Sequence, residues 1–188
     1  MWIKGSGGDI GTLTRAGVAG LYTERLRNLK NVYKGLEDED RMVGLFKHCI
    51  YDLDSKAPSI DTPLHGLLPF KHIDHLHPDA LIAVAAAKDS EKVTKEIWGD
   101  TMGWVPWQRP GFDLALKLEK CLNDNPNIRG IVLGSHGLFT WGETSYDCYI
   151  NSLDVIEMAS KFISNKIVEK GSVFGGQKIE SLPKEKRL

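Results

Sequence analysis

The chain lacks the features that mark several classes of protein. Its 188 residues include only three cysteines, Cys49, Cys121 and Cys148, and no Cys-x-x-Cys pair. An odd number of widely spaced cysteines argues against a disulfide framework, so we expect free thiols in the cytoplasm. The longest apolar run, Ala80 to Ala87, is far shorter than the ~20 residues that a membrane-spanning helix needs. The sequence shows no signal peptide, because Met1 to Lys4 lead directly into a glycine cluster.

The chain also lacks an excess of either charge. Lys and Arg number 24 and Asp and Glu number 25, for a net charge of -1. This balance excludes a strongly basic nucleic-acid binder and a polybasic membrane-surface protein. The length and the 41% hydrophobic content fit one globular domain. We expect this domain over residues 1–170, with a linker or tail over 171–188 that contains Gly175-Gly176.

Periodicity predicts short strands that alternate with helices. Strands are predicted at 72–77, 130–134 and 138–141, and helices at 61–70 and from 143 onward. The expected apolar stripe of the final helix is Cys148, Ile150, Leu153, Ile156, Met158, Phe162, Ile163 and Ile167. This alternation favours an α/β domain with three-layer α/β/α packing.

Histidine spacing is the sharpest chemical signal. His75 and His77 are two residues apart on a predicted strand, so their side chains point to the same face. His136 follows a buried strand and precedes Gly137, and a turn of this kind often carries a ligand. Three histidines with an open fourth position are typical of catalytic zinc. The simpler interpretation is a polar edge strand and a turn histidine.

Two other features leave alternatives open. Asp61 and His65 lie four residues apart on a predicted helix and share a face, although a surface acid beside a histidine has the same spacing. The segment Gly5-Ser6-Gly7-Gly8 follows a strand, and its backbone amides could form an anion-binding nest. An ordinary turn explains that segment equally well.

Taken in order, these motifs resemble the class II aldolase/adducin family over residues 1 to about 168. The resemblance rests on Gly5-Ser6-Gly7-Gly8, Pro58-Ser59-Ile60-Asp61-Thr62-Pro63-Leu64-His65, His75-Leu76-His77-Pro78 and Ser135-His136-Gly137-Leu138. Within the family, the chain is most similar to the aldolase part of bifunctional rhamnulose-1-phosphate aldolase/short-chain dehydrogenase proteins. That closer likeness rests on Trp2-Ile3-Lys4-Gly5-Ser6-Gly7, Lys71-His72-Ile73-Asp74-His75, Arg109-Pro110-Gly111-Phe112 and Phe174-Gly175-Gly176-Gln177.

The resemblance implies a class II, zinc-dependent aldehyde-lyase of carbohydrate metabolism. It implies cleavage of a sugar phosphate such as rhamnulose 1-phosphate to dihydroxyacetone phosphate and an aldehyde. It also implies a homotetramer with sites between subunits, and fusion to a short-chain dehydrogenase in the intact protein. The implied metal ligands are His75, His77 and His136, the implied base is Asp61, and the implied phosphate contacts are Ser6, Gly7, Gly8 and Ser59.

Departures from the family pattern keep other functions open. Asp61 stands where the aldolases have Glu, and Asp61-Thr62-Pro63-x-His65 is similar to the ribulose-phosphate 4-epimerase branch, in which that Asp is a metal ligand. Met1 aligns with an interior position, so we expect a domain without the family's N-terminal helix and first strands. The alternatives to an aldolase are therefore an epimerase, a non-catalytic adducin-like module and an inactive fragment.

Overall fold

The structure, a computed structural model, describes residues 1–171 and residue 183. Strands β1 (Trp2–Lys4) and β2 (Val18–Gly20) form an antiparallel pair. A four-stranded sheet contains β3 (His72–Leu76), β4 (Gly103–Val105), β5 (Gly130–Leu133) and β6 (Gly137–Gly142). Its order is β3-β6-β5-β4, and only the β4–β5 pair is parallel. The remainder of the expected tail lies outside the described residues.

Seven α-helices connect and cover these strands within the described part of the chain. They are α1 (Thr23–Asn28), α2 (Glu39–Leu45), α3 (Thr62–Gly66), α4 (Asp79–Ala85), α5 (Ser90–Trp98), α6 (Phe112–Asp124) and α7 (Ser145–Lys170). Of the helices in residues 1–171, none is both long and apolar enough to cross a membrane.

The four-stranded sheet lies between two apolar clusters, so helices form one layer on each of its faces. Strand residues alternate between faces, so Ile131 and Phe139 face a cluster with α6, whereas Val132 and Leu138 face a cluster with α4 and α7. Both faces of the central strands are therefore buried, which explains why β5 is an uninterrupted apolar run. The predicted α/β class is confirmed.

Two predicted details differ from the structure. The helix expected at 61–70 is only the five-residue α3, and its last residue, Gly66, lies so close to Leu26 that an added Cβ would be 2.2 Å from Leu26 Cδ2. The buried residues of α7 are Cys148, Ser152, Val155 and Ala159, whereas Ile150 and Leu153 of the predicted stripe are 42% and 44% exposed. The face with small side chains packs on the sheet because it allows the helix backbone to approach closely.

Candidate active site

His75 is held in one orientation by its own sheet. It lies on β3, and its ring Nδ1 is 3.0 Å from the carbonyl oxygen of Leu138 on β6. The carbonyl can only accept, so Nδ1 carries the proton and Nε2 presents a lone pair. His75 Nε2 is buried and has no hydrogen-bond partner among the described residues. A buried ring nitrogen without a partner is costly unless it binds something, and this environment fits a metal ligand.

Two more imidazoles converge on His75. His77 follows β3, and His136 lies in the turn between β5 and β6, where its amide donates to the carbonyl of Leu133 at 3.0 Å. One nitrogen from each of His75, His77 and His136 lies within 4.8 Å of the others. Three imidazole nitrogens grouped in this way are a donor set that suits a divalent ion such as zinc.

The backbone of the turn is adapted to this grouping. Ser135 has a positive φ of 55°, a conformation that is unfavourable for a residue other than glycine. It is held there by a hydrogen bond from its amide to the carbonyl of Ala85 at 2.7 Å. At Gly137, an added Cβ would lie 2.4 Å from His77 Cδ2. The absence of a side chain at Gly137 therefore gives the His77 ring its space.

Burial favours the neutral form of His75 and His136. Desolvation lowers the pKa of His75 to about 4, against the opposing effect of its bond to Leu138. Desolvation and the neighbouring His77 also lower the pKa of His136. Neutral imidazoles are the form that binds metal, so these two side chains are in the ligating state at neutral pH.

Asp61 and His65 line a cleft next to this cluster. The cleft has a volume of about 280 Å³ and is lined by Trp2, Ile3, Lys4, Ile10, Leu13, Ser59, Asp61, His65, Ile73, Asp74, His75 and Leu76. Asp61 comes directly before α3, and its carboxylate Oδ2 accepts a hydrogen bond from Ser59 Oγ at 3.2 Å. Burial lowers the pKa of His65, although the nearby Asp61 opposes the shift. The Asp61–His65 pair thus lies in a cleft with His75.

The predicted phosphate contacts are adjacent in space but do not share one pocket. A β-bridge pairs Gly5 with Pro58, which brings the glycine turn next to Ser59. Ser59 lines the cleft with His75, whereas Gly7 and Gly8 line a second pocket of about 230 Å³ together with Lys56. The Ser6 amide donates to the carbonyl of Ala57 at 2.8 Å and is not free for an anion.

Three residues near the cluster were not predicted from sequence. Phe139 lies opposite His75 in the β3–β6 register and stacks on its ring. The carboxylate of Asp74 accepts from Ser152 Oγ of α7 at 2.8 Å. Lys4 lines the cleft from β1. The predicted strand at 138–141 contains Phe139, and Lys4 and Asp74 fall in motifs quoted for the family resemblance. The contacts themselves depend on strand register, which is a tertiary property.

The comparisons with known proteins give the family of the chain. Residues 1–162 match the model of the Class II Aldolase and Adducin N-terminal domain. The chain therefore belongs to the class II aldolase and adducin family, and the predicted family is confirmed. This membership supports an enzyme of the lyase or epimerase type and a divalent metal.

Three known proteins illustrate what the chain is similar to. The "Uncharacterized oxidoreductase YuxG" of Bacillus subtilis (strain 168) is 37% identical over 187 residues, and the chain spans only 27% of that protein's length. The N-terminal class II aldolase domain of a conserved protein from Thermoplasma acidophilum has a TM-score of 0.77 at 29% identity, over 85% of this chain and 73% of that one. The L-fuculose-1-phosphate aldolase of Thermus thermophilus has a TM-score of 0.57 at 14% identity, over 89% and 79%, and shares the fold.

Proposed function

We propose that the chain is the catalytic domain of a zinc-dependent aldolase. Its reaction is cleavage of a deoxyketose 1-phosphate, with rhamnulose 1-phosphate as the first substrate to test, to dihydroxyacetone phosphate and an aldehyde. The observation that carries this proposal is the grouping of His75, His77 and His136 within 4.8 Å, next to a cleft that contains Asp61. The name of the Thermus relative, an L-fuculose-1-phosphate aldolase of the same fold, supports the choice of substrate class.

In this proposal the three histidines hold the metal and Asp61 moves the proton. A bound divalent ion would supply Lewis-acid stabilisation of the negative charge that develops when the carbon–carbon bond breaks. Asp61 lies in the cleft, directly before α3. Its carboxylate Oδ2 accepts a hydrogen bond from Ser59 Oγ at 3.2 Å, which orients it. A carboxylate oriented in this way can accept or return a proton at the reacting carbon.

The metal part of the proposal is tested by measuring bound metal, with no activity assay. Protein purified without chelator should contain one divalent ion per chain, and His136→Ala should lose most of it. His72→Ala is the matched control, because this exposed histidine lies on β3 but its side chain points to the opposite face from His75. Equal zinc content in wild type and His136→Ala would contradict the proposed ligand set.

The reaction is tested with Asp61→Asn, which preserves the size of the side chain. If Asp61 is the base, cleavage should fall by about 10²-fold or more while the metal stays bound, in line with the usual contribution of a general base. If Asp61 is a fourth ligand, as in the epimerase alternative, zinc affinity should fall as well. Asp54→Asn, at an exposed position, is the control. Formation of an epimerised pentose phosphate without free triose phosphate would contradict the aldolase proposal and favour the epimerase.

Two further properties belong to the same proposal. We propose a homotetramer in the cytoplasm, which light scattering would test. We also propose that the intact protein joins this domain to a short-chain dehydrogenase. The supporting observation is that the chain spans 27% of a relative named as an oxidoreductase.

A further inference from the structure

β3 is an edge strand of the four-stranded sheet, and two of the three candidate metal ligands lie on it or directly after it. Its only strand partner in the described part of the chain is β6, and their register ends at the Leu76–Leu138 pair, one residue before His77. His75 and His77 point to one face of the strand. Their distance from His136 therefore depends on how firmly this edge strand is held.

The opposite face of β3 is tied to α7 through Asp74. Ser152 of α7 donates its hydroxyl proton to Asp74 Oδ2 at 2.8 Å, and Thr140 Oγ1 lies 2.7 Å from Ser152 Oγ. Asp74 and Thr140 are direct partners in the β3–β6 register. Because a carboxylate only accepts, Thr140 donates to Ser152, and both bonds run toward Asp74. Ser152 and Thr140 are 1% and 0% exposed, which excludes water from the bond between them.

Asp74 has only neutral hydrogen-bond partners among the described residues. No ion pair there involves it, and burial and the Asp74 carboxylate raise the pKa of the Cys148 thiol to about 12. The Cys148 carbonyl oxygen, 3.0 Å from Ser152 Oγ, is a more distant and uncharged acceptor for the hydroxyl proton. Aspartate is unfavourable in strands, and a half-buried carboxylate without a cation costs stability. An apolar side chain would serve packing better, so the hydrogen bond to α7 is the feature that accounts for Asp74.

We propose that Asp74 and Ser152 are positioning residues for the metal centre. The inference rests on the proposed function and extends it from the ligands to the contacts that hold their strand. Asp74 lies at the middle of β3, next to His75 in the chain but with its side chain on the opposite face. Its bond to α7 supplements the ladder with β6 and keeps the two β3 histidines in place before metal binds. Ligands held in this way bind a metal more tightly, because less conformational freedom is lost on binding.

Ser90 provides a matched comparison at the other edge of the sheet. It is the first residue of α5 and is 5% exposed, and its Oγ accepts a hydrogen bond from Trp104 Nε1 at 3.0 Å. Trp104 lies on β4, the edge strand opposite β3, which contains none of the candidate ligands. Loss of either serine hydroxyl thus removes a bond between a helix and an edge strand, but only Ser152 contacts the strand that carries His75.

The experiment measures the zinc affinity of the full chain by chelator competition for Ser152→Ala and Ser90→Ala, with urea unfolding of each variant. Ser152→Ala should bind zinc about 10-fold more weakly, the loss typical of a missing contact behind the ligands of a metal site. Ser90→Ala should lower the urea midpoint by a similar amount but keep the zinc affinity within about twofold of wild type. Unchanged zinc affinity in Ser152→Ala, or an equal loss in Ser90→Ala, would overturn the proposal.

Two variants at Asp74 separate the hydrogen bond from the charge. Asp74→Asn keeps an oxygen that can accept from Ser152, so its zinc affinity should remain within about threefold of wild type, whereas Asp74→Ala should lose about 10-fold or more. An equal loss in both variants would assign the effect to charge and contradict the positioning role. These two variants keep the proposal testable if Ser152→Ala does not fold.

Zinc affinity also separates this inference from the proposed reaction, because its measurement requires no cleavage. Zinc binding that depends on Ser152 in a protein that cleaves no ketose phosphate would support the positioning role and count against the aldolase. Cleavage of a ketose phosphate together with unchanged zinc affinity in Ser152→Ala would leave the aldolase proposal intact and refute the role of Ser152.

Discussion

The ring of His75 stacks on the ring of Phe139, with centroids 4.3 Å apart and planes 9° from parallel. The two residues are direct partners in the β3–β6 register. The stacking and the hydrogen bond from His75 to the Leu138 carbonyl both restrict the same ring. Phe139 also contacts the His65 ring edge to face, at a centroid distance of 5.3 Å. One buried aromatic residue thus supports two histidines of the candidate site.

Phe139→Leu should reduce both stability and zinc affinity. Loss of ring volume in a buried site should cost about 1–3 kcal/mol of unfolding free energy, and the freed His75 ring should weaken zinc binding about 10-fold. Phe112→Leu is the matched control, because Phe112 is equally buried in the same apolar cluster. It should lose similar stability in chemical denaturation but retain zinc affinity in a chelator competition. Equal zinc affinity in the two variants would contradict a positioning role for Phe139.

Gly137→Ala should weaken metal binding by a steric route. Its Cβ would lie 2.4 Å from His77 Cδ2 and 2.9 Å from the carbonyl oxygen of Leu76, so the His77 ring must move. We expect at least about a 10-fold loss of zinc affinity, as for other changes that displace a ligand. At Gly44, inside α2, an added Cβ meets nothing within 4 Å. Gly44→Ala should instead stabilise the protein by about 0.5–1 kcal/mol and leave zinc binding unchanged.

Glu39→Ala should destabilise the fold but leave the cleft with Asp61 and His75 unchanged. Glu39 is only 5% exposed, and its carboxylate accepts from the amides of Phe112 at 2.8 Å and Asp113 at 2.6 Å at the start of α6. Removing it leaves two amides of a helix N-terminus without their partner, which should cost about 2–4 kcal/mol. Glu37→Ala, at an exposed position, should change the stability by less than about 0.5 kcal/mol. Similar urea midpoints for the two variants would refute this capping role.

The stability of the metal-free protein should decrease as the pH falls below about 6.5. Burial lowers the pKa values of His65, His75 and His136 in the folded state, so the unfolded chain binds protons first and stability is lost with acidification. For His75, with a folded pKa of about 4, the loss between about pH 7.5 and 5.5 should be about 1 kcal/mol. Urea unfolding with chelator present at both pH values measures it. The slope should be smaller in His75→Gln and unchanged in the exposed His72→Ala, and a flat profile in wild type would contradict the prediction.

The sequence predicted the local elements well where a single pattern dominates. The His75–His77 spacing on β3, the apolar run of β5 and the turn at His136 follow from neighbouring residues, so the three candidate ligands could be named in advance. The predicted buried stripe of α7 holds at Cys148 and in part at Ile156, Met158 and Ile163, but it was wrong at Ile150 and Leu153 for a physical reason. Several faces of this helix are apolar, and the choice among them depends on which one fits closely against the sheet, a contact that no local pattern contains.

The sequence by itself determined the class of fold, the family motifs and which three histidines are the candidate metal ligands. Only the tertiary structure decided which groups near them are free to act. Strand register placed Phe139 against His75, because β3 and β6 are far apart in the chain and their pairing is set by the packing of the whole sheet. The Gly5–Pro58 bridge brought the glycine turn and Ser59 together, and the hydrogen bonds formed there occupy the Ser6 amide and the Ser59 hydroxyl.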